Sequence, residues 1–220
     1  MNCLWCNQIL QEELSFASLL CLKKRNNWIC PTCFSSFEKI GEERCPSCFK
    51  AGVSIKCQDC QRWCQEGIEV QHRAMFKYNS AMRDFFSRYK FDGDYLLRKI
   101  FTPVLTQELK QYKQYAIVVI PLSPERLEHR GFNQVEGFIQ ETGLPYLDIL
   151  VKRDVDASSS KSRKERLSRE LPFFIREGVK IPPKILLFDD IYTTGATVNR
   201  VKHLLEEAGC QDVKTFSLAR

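Results

Sequence analysis

Four C-x-x-C pairs crowd the first sixty residues: Cys3/Cys6, Cys30/Cys33, Cys45/Cys48 and Cys57/Cys60. Nothing else in the chain restricts its fold as strongly. Nine of the eleven cysteines lie within residues 1–60, with Cys64 just beyond and Cys210 far downstream. The short apolar run SFASLLCL follows the acidic QEE and lacks the basic start of a cleavable leader. The pairs therefore read as zinc thiolates and not as a disulfide framework. Tetrahedral Zn²⁺ takes four sulfurs, and each C-x-x-C turn supplies two, so four pairs predict two structural four-cysteine sites. The simplest arrangement puts the first two pairs on one ion and the last two on the other. Interleaved pairing is the alternative, and redox-active dithiols are the competing chemistry. Cys21 and Cys64 are surplus and read as small buried hydrophobes.

The metal changes the charge argument. Eight thiolates and two Zn²⁺ remove four charges from the formal +6, leaving about +2. Nucleic-acid binding is thus not inferred from net charge. A hydrophobic content of 44% with 27% charged residues is that of a globular chain. No apolar run is long enough to span a bilayer, so no stable membrane insertion is expected and the protein reads as cytoplasmic.

Residues 1–66 form one predicted unit, a double zinc ribbon too small to fold without its metals. Residues 67–220 form the second, in which strands and helices alternate. Predicted strands are HRAMFKYN, YAIVVIPL, LPYLDIL, LPFFI, KILLFDD and DVKTFSLA. Between them, Ala81, Met82, Phe85, Phe86 and Tyr89 recur at helical spacing, as do Val198, Val201, Leu204, Leu205 and Ala208. DYLLRKIFTPVLTQELKQY reads as helix kinked or broken at Pro103, and NQVEGFIQETG as a helix stopped by Gly143. This order predicts an α/β fold with a mostly parallel sheet flanked by helices.

The most informative loop follows KILLF. Asp189 and Asp190 stand at a strand tip, ahead of Thr193, Thr194, Gly195, Ala196 and Thr197, where a helix starts. In α/β sheets ligands sit at carboxyl ends of strands, and free amides of a first helical turn cradle phosphate. Carboxylates beside such a cradle accept hydrogen bonds from a diol. A ribose 5-phosphate carries both groups. The pattern lacks the lysine of a Walker phosphate loop, so no motor is expected.

This stretch resembles the phosphoribosyl pyrophosphate (PRPP) motif of type I phosphoribosyltransferases. VVIPLSPERLEHRGFNQVEGF and FKYNSAMRDFFSRYKFDGDYLL are similar to two further segments of the ComF competence family, which also places a Cys-rich ribbon ahead of such a domain. The resemblance implies a phosphoribosyltransferase-like sheet, PRPP bound with Mg²⁺, and catalytic roles for Asp189 and Asp190. It assigns the 5-phosphate to Thr193, Thr194, Gly195, Ala196 and Thr197. It places Pro121, Leu122 and Ser123 in the pyrophosphate loop, with Arg126 and Arg130 supplying charge; a solvated basic turn is the alternative for the two arginines. His129 between them reads as exposed. The serine-rich, basic stretch 152–170 suits a flap closing over an anion. By resemblance, Ser160, Lys161, Arg163, Lys164 and Arg166 belong to that flap; a solvated linker or a nucleic-acid strip competes.

No acceptor pocket is legible. Position 2 is Asn2, and Cys3 reads as a zinc ligand, so ammonia from glutamine is not expected. Three classes stay open: a pentosyl-transferring enzyme, a non-catalytic PRPP sensor, and an adaptor for single-stranded DNA or a DNA-uptake helicase or other competence protein. Trp28 and Trp63 offer stacking surfaces for the last, although packing against the zinc hairpins is the plainer reading.

Overall fold

In the computed structural model the described residues are 1–10, 28–153 and 172–220. The short helix α1 (Pro31–Ser35) and helix α2 (Gln58–Gln65) belong to the cysteine-rich segment. Strand β1 (His72–Phe76) follows, then α3 (Ser80–Lys90), whose N-cap Asn79 accepts a hydrogen bond from the Met82 amide. The run containing Pro103 is broken and not merely kinked. A 3₁₀ turn at Tyr95–Ile100 ends before α4 (Thr102–Leu109), with proline in the first helical turn, where its missing N–H has no intrahelical role. Strand β2 (Ala116–Val119), α5 (Pro124–Arg130) and α6 (Gln134–Thr142) lead to the two-residue strand β3 (Tyr146–Leu147). Strands β4 (Leu150–Lys152) and β5 (Phe173–Ile175), then β6 (Lys184–Ile191), α7 (Ala196–Glu207) and β7 (Asp212–Ala219), complete the order.

The main sheet runs β1-β7-β6-β2-β3 and all its pairs are parallel. LPYLDIL and LPFFI depart from a single-sheet reading. Only Tyr146–Leu147 joins the main sheet, while β4 and β5 form a separate antiparallel pair. Three-residue strands have too few positions for a periodic signal to show which sheet they join.

A parallel sheet is covered on both faces, and alternation along β2 and β6 assigns them. Ile117, Val119, Leu186 and Phe188 enter one core with Met82, Phe85, Phe86, Phe138 and Ile139. Val118, Ile120, Ile185 and Leu187 enter the other with Val198, Val201 and Leu205 of α7. The first core is rich in aromatic edges and faces: Phe85 lies 4.8 Å from Phe101 and 5.3 Å from Phe86, ring centre to ring centre. Truncating such a residue to alanine costs about 3–5 kcal/mol.

The cysteine-rich segment shares both cores. Phe37, with Leu4, Trp5 and Phe34 at its margin, packs in the first, while Cys45, Cys48, Cys57, Cys60 and Trp63 pack in the second. The connection between its halves also extends the sheet. Lys39 bridges Phe76 antiparallel, the Ile40 amide donates to the Met75 carbonyl and the Lys77 amide to that of Glu38, covering the end of the edge strand β1. Among the described residues no helix is long and apolar enough to cross a membrane. The five-stranded parallel sheet with flanking helices and a Cys-rich segment is consistent with a phosphoribosyltransferase-like α/β fold.

Candidate functional site

Helix α6, reached from β2, lies over one face of the sheet, and α7, reached from β6, over the other. Because β2 and β6 are neighbours, the crevice beyond their carboxyl ends is the topological switch point of the sheet. The 121–123 loop leaves one side of this crevice and the 192–197 loop the other. The predicted pyrophosphate and 5-phosphate segments therefore follow the carboxyl ends of neighbouring strands.

The 192–197 turn depends on Gly195, which has φ +81° and whose added Cβ would overlap the Tyr192 hydroxyl. No hydrogen bond among the described residues engages the backbone N–H groups of Thr193, Thr194, Gly195 or Thr197. A cavity of about 50 Å³ lies against Asp189 and residues 191–198. Free amides, threonine hydroxyls and a helix N-terminus together favour an anion there. A larger depression of about 390 Å³ runs along α7 beside Gln71, Lys202 and Asp212. Its lysine already donates to the Glu69 carbonyl at 3.2 Å and lies 3.7 Å from Glu206, so it offers less to a ligand than the loop does.

The structure separates the two acids. Alternation along β6 puts Asp190 on the face of Leu186 and Phe188, and Asp189 on the opposite one. Asp190 is buried; its Oδ2 lies 2.5 Å from Lys90 Nζ and accepts from Gln134 Nε2 at 2.9 Å, while Oδ1 accepts from the Ile191 amide at 2.6 Å. Asp189 is half-buried, lines the loop cavity and accepts the Asp190 amide at 2.8 Å. Burial, and then the Asp190 charge, push its carboxyl up to about 7. One acid is thus tied into a pre-formed network, and the other faces the cavity with its carboxyl raised by burial.

PERLEHR is not a loop but the helix α5, between Pro124 in its first turn and Gly131 with φ +77° at its stop. Ser123 is buried at its N-cap and Leu122 half-buried. Arg126 is exposed, as is His129, whereas Arg130 is half-buried, hydrogen-bonded to Gln134 Oε1 and 5.7 Å from the Phe91 ring. Burial lowers the Arg130 pKa, the Asp190 charge opposes that, and nearby Arg126 adds to it. The network Arg130–Gln134–Asp190–Lys90 links both loops. Sequence reading gave Lys90 and Gln134 no role, since a lysine and a glutamine on amphipathic helices look like solvated positions. Ser160, Lys161, Arg163, Lys164 and Arg166 lie outside the described residues.

The cysteines form two groups, Cys3/Cys6/Cys30/Cys33 and Cys45/Cys48/Cys57/Cys60, with all sulfurs of each within 4.8 Å of one another. This is the sequential pairing. Zinc bonded at about 2.3 Å to four sulfurs spaces them by about 3.8 Å, and Cys6–Cys30, Cys45–Cys60 and Cys48–Cys57 are 3.9, 3.9 and 3.5 Å apart. The donor sets fit zinc. Each group combines one hairpin knuckle with one helix start. Asn7 and Phe49 take φ +59° and +62° just after Cys6 and Cys48, and Cys30 and Cys57 are the N-caps of α1 and α2. In both knuckles an amide donates 3.3 Å back to the first sulfur, from Cys30 to Cys3 and from Cys57 to Cys45. Burial raises these two thiols, but the converging amides outweigh it and bring Cys3 down to about 6 and Cys45 to about 7, favouring the thiolate a metal needs.

The surplus Cys64 is exposed, not a buried hydrophobe, because it falls on the outer face of α2; Cys21 lies outside the described residues. Trp63 is buried beneath the 192–197 loop and offers no stacking face, while Trp28 is half-buried with Lys99 Nζ 4.4 Å from its ring.

No family model matches the chain. It is 64% identical over 220 residues, the whole of both chains, to competence protein ComFC of Streptococcus pneumoniae. It is 31% identical to competence protein ComFC of Bacillus subtilis over 227 aligned positions, covering 99% of this chain and 94% of that one. Competence protein F of Haemophilus influenzae is 26% identical over 149 residues, 60% of this chain and 65% of the relative. Full-length identity at this level, together with the sheet and the paired cysteine clusters, means that the chain belongs to the ComFC family of competence proteins.

Proposed function

We propose that the chain is a cytoplasmic, competence-associated protein that binds PRPP with Mg²⁺ in the switch-point crevice and supports phosphoribosyl transfer there. One observation carries the reading: the amides at residues 193–195 and 197, unengaged among the described residues, beside the half-buried Asp189. The amides hold the 5-phosphate, Asp189 accepts from the ribose hydroxyls, and Arg126 and Arg130 approach the diphosphate from α5. Mg²⁺ would come with the ligand and offset the charge of the diphosphate. Zn²⁺ at the two cysteine groups is structural. In transfer, the bond between C1 and the diphosphate breaks, pyrophosphate leaves with the electron pair, and an acceptor lone pair forms the new bond. The Asp190 carboxylate, held in place by Lys90 and Gln134, supplies the negative charge that faces the developing positive sugar. The relatives' names, competence proteins, support a competence role for this chemistry, with single-stranded DNA, a helicase or another competence protein as the partner class. Calorimetric titration with Mg²⁺ and PRPP tests the binding. Micromolar affinity in the wild type and at least tenfold weaker binding by Asp189→Asn are expected; a folded wild type that binds no PRPP rejects the reading. Pyrophosphate release with added acceptors then separates transfer from binding alone.

A further inference from the structure

Three consecutive carbonyls of the 192–197 loop are held from one side. The guanidinium of Arg220 donates to the Tyr192 carbonyl at 3.2 Å and to the Thr193 carbonyl, and Trp63 Nε1 donates to the Thr194 carbonyl at 2.8 Å. In a planar trans peptide the N–H points opposite to the C=O. Fixing the carbonyls of residues 192, 193 and 194 therefore aims the amides of 193, 194 and 195 the other way. These are three of the four loop amides without partners among the described residues.

The groups that hold the carbonyls are anchored in the second cysteine cluster. Trp63 sits in α2, whose N-cap is Cys57 and whose first turn contains Cys60. The same Arg220 guanidinium lies 3.2 Å from Cys48 Sγ, 4.0 Å from Cys57 Sγ and 3.3 Å from Asp59 Oδ2. Its side chain is only 6% exposed, so it needs anionic partners where it lies. Four thiolates around Zn²⁺ would carry a net charge of −2 and so complement the guanidinium that lies against them. The Tyr192 ring, 4.8 Å beneath the guanidinium, is stacked 4.0 Å from His72 and accepts from Asn199, so the turn has little freedom to follow if Arg220 moves.

We propose that Trp63 and Arg220 are positioning residues through which the metal at Cys45/Cys48/Cys57/Cys60 sets the anion affinity of the 192–197 loop. The proposal rests on reading that loop as a phosphate site and adds how the site is controlled. The first cluster is tied elsewhere: Arg88 donates to the Leu4 and Trp5 carbonyls and pairs with Asp94.

The test uses the zinc-loaded full chain with inorganic phosphate and with Mg²⁺ and PRPP as probes, read by calorimetry. Trp63→Phe keeps the ring and loses the donor; Arg220→Lys keeps the charge and loses the fork. Each is expected to weaken phosphate and PRPP binding about tenfold, to speed amide exchange at residues 193–195 in the phosphate-bound protein, and to leave zinc at two per chain. Arg88→Lys is expected to change neither affinity nor that exchange beyond about twofold, its contacts being remote from the loop. Where Arg220→Lys does not fold, Trp63→Phe and the exchange measurement decide. Unchanged affinity and exchange in the folded variants overturn the coupling while leaving PRPP binding intact. A wild type that binds neither probe defeats the phosphate-site reading itself, and the coupling with it.

Discussion

The two cysteine clusters share one backbone plan and live in different surroundings. In the first, Cys6 is exposed and Cys30 and Cys33 are half-buried; in the second, all four cysteines are 0–5% exposed and packed among residues of the sheet core. Spacing specifies a donor set that fits a metal; burial specifies what else depends on it. The first cluster closes a peripheral hairpin over Phe37 and α3. The second is continuous with the core under the 192–197 loop, so a metal there would join sheet packing to the geometry of that loop.

Serine substitutions break the comparison most sharply. Cys60→Ser removes a ligand from the buried cluster, and structural zinc sites contribute on the order of 10 kcal/mol at neutral pH. A loss of at least about 4 kcal/mol, or roughly 10 °C in Tm, is expected with one zinc lost. Cys6→Ser, at the exposed corner, should cost only about 1–2 kcal/mol. Thermal unfolding and zinc content on the same samples check both; equal losses would show that burial does not differentiate the clusters.

Asp189→Asn perturbs the site while leaving both clusters intact. The Asp189 carboxyl titrates near 7 when folded and near 3.8 otherwise, so the native state holds an extra proton between those values. Stability therefore falls as pH rises through that window, and the penalty is complete above it. The variant should gain roughly 1–3 kcal/mol over wild type at pH 8, allowing for partial solvation, and almost nothing at pH 3. Denaturant unfolding at the two pH values measures this. A stabilised protein with impaired ligand binding would mark Asp189 as a residue kept for function.

The smallest effect lies in the knuckles. Asn7 tolerates a left-handed backbone, whereas Phe49 occupies the same position at a cost of about 1 kcal/mol. Arg44, 4.3 Å from the Phe49 ring, returns a similar amount. Phe49→Asn should thus fall within about 0.5 kcal/mol of wild type, while Asn7→Ala costs about 1 kcal/mol. A large loss for Phe49→Asn would make the arginine contact the dominant contribution.

What could be read beforehand depended on the range of the interactions. The C-x-x-C spacing, the apolar run before Asp189 and the Ala81–Tyr89 stripe are local, and each gave the right element. Helix α5 escaped because none of its residues is buried, so it has no stripe, although Pro124 and Gly131 were usable start and stop signals. The Lys90–Asp190 pair and the Trp63–Thr194 bond, the latter spanning 131 residues, join distant segments and leave no periodic trace. For the same reason the division of labour between Asp189 and Asp190 became visible only once alternation along β6 was known.

The position of β1 in the sheet also orders events in time. Its neighbour is β7, and His72 meets Thr215 across 143 residues, whereas the second cluster closes over 15. Short loops close at small entropic cost and distant strand pairs form late. A refolding chain supplied with zinc should therefore carry metal-loaded knuckles while β1 still exchanges its amides freely. Pulse-labelled exchange would resolve this order, and simultaneous protection of the knuckles and β1 would exclude it. During that interval the second knuckle, whose Ser47 carbonyl accepts the His72 amide, serves as a template on which the last strand pair is assembled.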